Sequence, residues 1–143
     1  MAIKALIKEL ERSWNAGDGT RWAANFTETA VFVDVLGRIQ RGRGVIGSEH
    51  QKLFDSIYRG SHLEIAPLDS RPADADLVLA HTSSVLRVPT GPRAGDTPAV
   101  QTMLVDGGLI VAFQNTIRPE LSGFAGDDEQ LADLAPLGWE HAG

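Results

Sequence analysis

The sequence predicts an α+β domain whose helices gather on one side of a mostly antiparallel sheet. Two observations carry this. Apolar residues recur at helical spacing in segments ending by Tyr58, and β-rich segments separated by turn residues then run to Pro119. The resulting order is α-α-β-β-α-β-β-β-β. A long curved sheet with a helix across its mouth leaves a concave pocket, a shape that suits small molecules.

The elements follow in order. Ile3, Leu6, Ile7, Leu10 and Trp14 recur at steps of three and four, with Lys4, Lys8, Glu11 and Arg12 on the other face, so the chain opens with an amphipathic helix. Gly17 is placed to end it in the left-handed region. Asp18 can N-cap a short second helix that sets Trp22 and Phe26 one turn apart. Thr27–Thr29 reads as a turn. Val31–Leu36 is β-branched and aromatic, a strand that stops at Gly37, and Arg38–Arg41 returns as a short hairpin partner. After Gly42 and Gly44, a third helix is expected over Val45–Tyr58, with Ile46, His50, Leu53, Phe54 and Ile57 on its apolar stripe. Strands are expected over His62–Ser70, Asp76–Val88, Ala99–Val105 and Leu109–Ile117. A Pro/Gly-rich loop spans 89–96, and a hairpin turns at Asp106–Gly108. Residues 1–119 thus form one pocket domain. The tail, 120–143, carries Leu131, Leu134, Leu137 and Trp139 and is expected to pack on the body or on a partner subunit.

Composition narrows the chemistry. The 143 residues carry a formal net charge of −6 and no cysteine. Disulfides, zinc–thiolate sites and thiol nucleophiles are excluded. No basic stripe offers a nucleic-acid groove. No apolar run spans a bilayer, and the first ten residues do not read as a secretory signal, so the expected compartment is the cytoplasm. There is no phosphate-binding Gly loop, no nucleophile elbow and no metal-ligand spacing. No metal or organic cofactor is expected. The expected partner is a hydrophobic small molecule or another protein.

Asp34 is the most informative residue. Alternation puts it on the face of Phe32 and Leu36. In a cavity its pKa would rise, making it a proton acceptor near neutral pH; at a strand end it would instead bond the backbone of the Gly37 turn. His50 on an apolar stripe is either a core histidine or a partner to a nearby carboxylate. Gln101 and Asn115 lie in apolar strands and need hydrogen-bond partners, either a ligand or each other's strands. Met103 and Phe113 accompany them. Trp14, Phe32, Phe54 and Tyr58 are candidate walls, with polar tips on Trp14 and Tyr58. Arg38, Arg41 and Arg43 form either a solvated surface or an anion site.

The run Trp14-Asn15-Ala16-Gly17-Asp18, followed by Trp22, Phe26 and Ala30–Gly37, resembles the nuclear transport factor 2-like (SnoaL-like, cystatin-like) superfamily. Arg41–Gly44 with His50, Arg59–Ser61 and Gln114–Thr116 make the SgcJ/EcaC-type family the closer resemblance. It covers residues 2 to about 118. The resemblance implies a cone-shaped α+β barrel with an open pocket, and a homodimer joined through the sheet faces. It further implies an accessory role in enediyne polyketide biosynthesis, holding or converting a polyene, with a polyketide synthase or thioesterase as protein partner. Asp34 is similar to the general base of ketosteroid isomerase. That enzyme's oxyanion tyrosine falls on Leu10 and its oxyanion acid near Gln101, so the oxyanion hole is missing. Each missing donor costs roughly 3–4 kcal/mol of transition-state stabilisation. The alternatives are an Asp34-based isomerase, dehydratase or cyclase, assisted by His50, and a non-catalytic binding or docking module.

Overall fold

A computed structural model describes residues 2–119 and Gly126. Apart from that glycine, the tail and its expected packing lie outside the described residues. The elements are α1 (Ala2–Asn15), α2 (Gly19–Ala23), β1 (Phe26–Val33), β2 (Ile39–Arg41), α3 (Arg43–Phe54), β3 (His62–Asp74), β4 (Leu77–Val88), β5 (Gly95–Asp106) and β6 (Leu109–Ile117). Their order matches the expected one. The six strands form one sheet in the order β2-β1-β6-β5-β4-β3. Every neighbouring pair is antiparallel except β1 with β6, which run parallel.

The helices bury the stripe their sequences carry. Ile3, Leu6, Ile7, Leu10 and Trp14 of α1 join Ile46 and Phe54 of α3 and the inner face of the sheet in one core. Gly17 adopts φ 65° after α1, and the Asp18 side chain accepts the Arg21 N–H to cap α2. Glycine is required at Gly19 because α3 passes so closely there: a Cβ would lie 2.5 Å from the Gly47 carbonyl oxygen. Gln51 of α3 fixes this contact, accepting the Gly19 N–H at 2.7 Å and donating to the Gly17 carbonyl at 3.2 Å.

The outer edge of β3 is covered by α1 side chains. Asn15 accepts the Leu63 N–H at 2.7 Å and Glu11 accepts the Ile65 N–H at 2.8 Å. Glu11 therefore saturates a sheet edge that would otherwise offer free donors; it is not part of a purely solvated face.

Several boundaries differ from expectation, each for a tertiary reason. Residues 27–29 are not a turn. They belong to β1, because Phe26 already pairs with Ile110, and an irregularity between Phe26 and Val31 absorbs the mismatch. Phe26 thus opens a strand, although its ring still lies 6.0 Å from that of Trp22. β1 ends at Val33, so Asp34 and Leu36 lie in the hairpin turn, and Leu36 is 78% exposed. α3 starts two residues early and ends at Phe54, closed by turns in which the Tyr58 N–H reaches the Leu53 carbonyl. β3 runs past Pro67 and Pro72 to Asp74; an edge strand tolerates proline because one side of its ladder is unused. β5 starts at Gly95 because β4 is long enough to pair with it there.

Candidate functional site

A cavity of about 140 Å³ lies between the concave face of the sheet and the three helices. Alternation selects its walls: Phe32 of β1, Gln40 of β2, Ser84 of β4, Gln101 of β5, and Phe113 and Asn115 of β6 all face inward. Trp14, Trp22, His50 and Tyr58 close it from the helical side. Exposed Leu36 also lines it, so the cavity reaches the surface beside the β1–β2 turn.

Its deep wall is aromatic. Phe32 stacks on Phe113 with centroids 4.7 Å apart and planes 9° apart. The His50 ring meets Phe32 edge-on at 4.7 Å and lies 5.2 Å from Trp22. His50 is 2% exposed. Its Nδ1 is 2.7 Å from the Ile46 carbonyl oxygen, which can only accept, so Nδ1 carries the hydrogen. Burial pushes the imidazole down to about 4, against the opposing pull of that carbonyl and of the Asp34 and Glu49 carboxylates. His50 is therefore neutral at pH 7 and serves as an acceptor at Nε2. A histidine held neutral in this way is not poised to act as the expected general acid for Asp34 at pH 7.

Asp34 also lines the cavity, in a setting unlike the expected one. Its carboxylate accepts the Leu36 and Arg38 backbone N–H groups, both at 2.9 Å, and the Arg38 guanidinium at 2.8 Å. Partial burial pushes its pKa up, but these bonds and the Arg38 charge outweigh burial and hold it below the usual carboxylate value. The expected raised pKa is thus reversed. The side chain does for the hairpin what the structural alternative required.

Gln101 and Asn115 sit in a closed polar network. The Gln101 amide accepts from Thr82 at 2.8 Å and donates to Ser84 at 2.8 Å and to Asn115 Oδ1 at 2.9 Å. Both Gln101 N–H groups are engaged, so this side chain does not replace an oxyanion donor. Position 10 does not either: Leu10 is fully buried in the core.

Six of the eight predicted wall residues, Trp14, Phe32, Tyr58, Gln101, Phe113 and Asn115, line the cavity. Phe54 and Met103 do not. Phe54 points from α3 onto Trp14, with rings 4.8 Å apart, and is 5% exposed. Met103 shares the face of Gln101 but lies further along β5, within the core. The three arginines do not converge on an anion site. Arg38 bonds Asp34, Arg43 donates to the Phe26 carbonyl at 2.9 Å, and Arg41 is exposed.

Gln40 and Trp22 were not singled out as wall residues. Gln40 was legible in principle, because the β1–β2 register sets it opposite Phe32. Both leave a buried polar atom, Gln40 Oε1 and Trp22 Nε1, without a partner. Among the described residues, no group of three or more His, Asp or Glu side chains is placed to hold a metal. No described helix is long and apolar enough to cross a membrane.

No protein-family model and no curated protein matches the chain. Solved structures do. A domain of unknown function with a cystatin-like fold from Nostoc punctiforme superposes with a TM-score of 0.77 at 27% identity, over 86% of this chain and 79% of that one. An NTF-2 like protein of unknown function from Shewanella oneidensis gives a TM-score of 0.68 at 16% identity, over 80% and 96% of the two chains. A hypothetical protein with a ketosteroid isomerase-like fold from Catenulispora acidiphila, in complex with trimethylamine, gives 0.61 at 18% identity, over 92% and 97%. The architecture, its inward cavity and these likenesses together identify the chain as an α+β protein with the cystatin-like fold that NTF-2 like and ketosteroid isomerase-like proteins share.

Proposed function

We propose that this protein binds an uncharged hydrophobic small molecule in the cavity. The observation that carries the reading is an aromatic-walled space in a core whose polar network at Gln101 is already satisfied within the protein. A cavity of about 150 Å³ accepts a ligand of roughly benzene size. The cavity here, about 140 Å³, suits one ring or one end of a longer chain, with the remainder leaving past Leu36. The sequence resemblance to enediyne-cluster accessory proteins supports a polyene or polyketide intermediate as that ligand. It also supports a homodimer joined through the outer sheet face, where Val85, Val100 and Leu104 are half-buried in the single chain, and a polyketide synthase or thioesterase as protein partner.

A second reading is a proton-shift enzyme, either an isomerase or a cyclase, with Asp34 as base. It is favoured by the place of Asp34 on the cavity wall and opposed by the donors that hold its carboxylate ionised.

The test is native mass spectrometry of protein co-expressed with candidate polyketide synthases. Wild type should retain a polyene, and Ala99→Leu, which fills the cavity from a buried wall position, should not. Equal retention by both would overturn the cavity reading. Asp34→Asn should leave both ligand and products unchanged; loss of a product with the ligand still bound would establish the second reading instead. Sedimentation of wild type and Val100→Glu tests the dimer.

A further inference from the structure

Among the residues lining the cavity, Gln40 Oε1, Trp22 Nε1 and one nitrogen of His50 have no partner among the described residues. Asp34, Gln101 and the indole N–H of Trp14 are all engaged, the last by Ser61 at 2.9 Å. His50 differs. Its Nδ1 is committed to the Ile46 carbonyl, and Nε2 has no partner among the described residues. The ring lines the cavity, so Nε2 is the nitrogen left to face a ligand. Beside it, Trp22 presents a buried indole N–H without an acceptor. The His50 ring thus brings an unfilled acceptor to the aromatic end of the cavity.

We propose that the ligand carries a hydroxyl group, phenolic or enolic, that enters ring-first and donates its hydrogen to Nε2 of His50. This rests on the cavity reading above and names the chemistry the cavity selects. A hydroxyl can donate, so it satisfies the open acceptor on His50. A ketone or ether cannot donate to Nε2. A carboxylate would bring a negative charge beside Asp34 and Glu49, the two acids whose fields reach His50. An ammonium would lose its hydration against a wall of rings. Burying a hydroxyl without a partner is costly, and here the partner is already in place.

The experiment is calorimetric titration of the protein with 2-naphthol and with naphthalene, which differ only by the hydroxyl. Wild type should bind 2-naphthol about tenfold more tightly than naphthalene. His50→Phe keeps a ring and removes the acceptor, so it should reverse the preference while still binding naphthalene. Should that variant fail to fold, the ¹⁵N resonance of His50 Nε2 in wild type should move on adding 2-naphthol and stay fixed with naphthalene. Naphthalene binding as tightly as 2-naphthol would overturn the hydroxyl proposal and leave the cavity reading standing. An Nε2 resonance indifferent to 2-naphthol would do the same. Binding of neither compound would overturn both.

Discussion

Replacing His50 by phenylalanine should change how stability responds to acid. In the unfolded chain the imidazole titrates near 6.5; in the fold, burial holds it near 4. As pH falls between these values, the unfolded chain takes up a proton that the folded chain refuses. Stability therefore drops from about pH 6.5 to pH 4 and levels off below. The full span is 2.5 units, which at about 1.4 kcal/mol per unit gives roughly 3 kcal/mol. Between pH 7.5 and pH 4.5 the loss should be about 2–3 kcal/mol. Asp34 works in the same sense, but below this window. Its lowered pKa gives stability that is complete above the ordinary carboxylate value and is lost only as pH falls through the lowered one. In His50→Phe the ring still packs among Trp14, Trp22, Phe32 and Phe54, and the Ile46 carbonyl keeps its helical N–H partner. The assay is urea unfolding at four pH values from 7.5 to 4.5, followed by the fluorescence of buried Trp14 and Trp22. The difference in stability between the two proteins should shift by about 2–3 kcal/mol in favour of the variant across the series. Parallel curves would show that His50 titrates alike in both states and would refute the burial-driven shift.

Three other substitutions probe the frame around the site. Gly19→Ala would place a methyl 2.5 Å from the Gly47 carbonyl oxygen and 2.9 Å from the Gln51 Cβ; forcing α2 off α3 should cost about 2–3 kcal/mol, read as a lower Tm. Gly47→Ala, with its nearest contact at 3.1 Å, should cost less, and a reversed order would refute the close-approach argument. Gln101→Leu strands Thr82, Ser84 and Asn115, whose three bonds all end on that amide; it should lose about 2–4 kcal/mol in urea unfolding, and a loss below about 0.5 kcal/mol would mean the network is dispensable.

Local pattern made much of the fold legible. The α1 stripe, the Asp18 cap and the hairpin at Asp106–Gly108 are decided by residues a few positions apart, and they stand where the spacing put them. The parallel β1–β6 pair was not legible, because nothing near Phe26 announces Ile110. The same gap explains Thr27–Thr29: their turn propensity was readable, and the distant strand that overrides it was not. At the site, alternation found Phe32, Gln101 and Asn115. It set Asp34 on the cavity wall as well, but not in the right electrostatic setting, because the strand stops one residue earlier and the side chain folds back on its own turn. Phe54 and Met103 show a further limit. Periodicity tells which side of an element a residue faces, but not how far along that side the cavity extends.

The parallel pairing of β1 with β6 also sets an order in time. During synthesis β1 leaves the ribosome long before β6, and meanwhile its only sheet partner is the three-residue β2. A ribbon of that size does not stand alone in water, and closing so long a stretch of chain is entropically slow. The Phe32–Phe113 stack joins the first and last strands of the cavity wall. The cavity is thus finished by the last of the described strands to be made. A guest in the proposed site would therefore stabilise finished copies in preference to nascent ones.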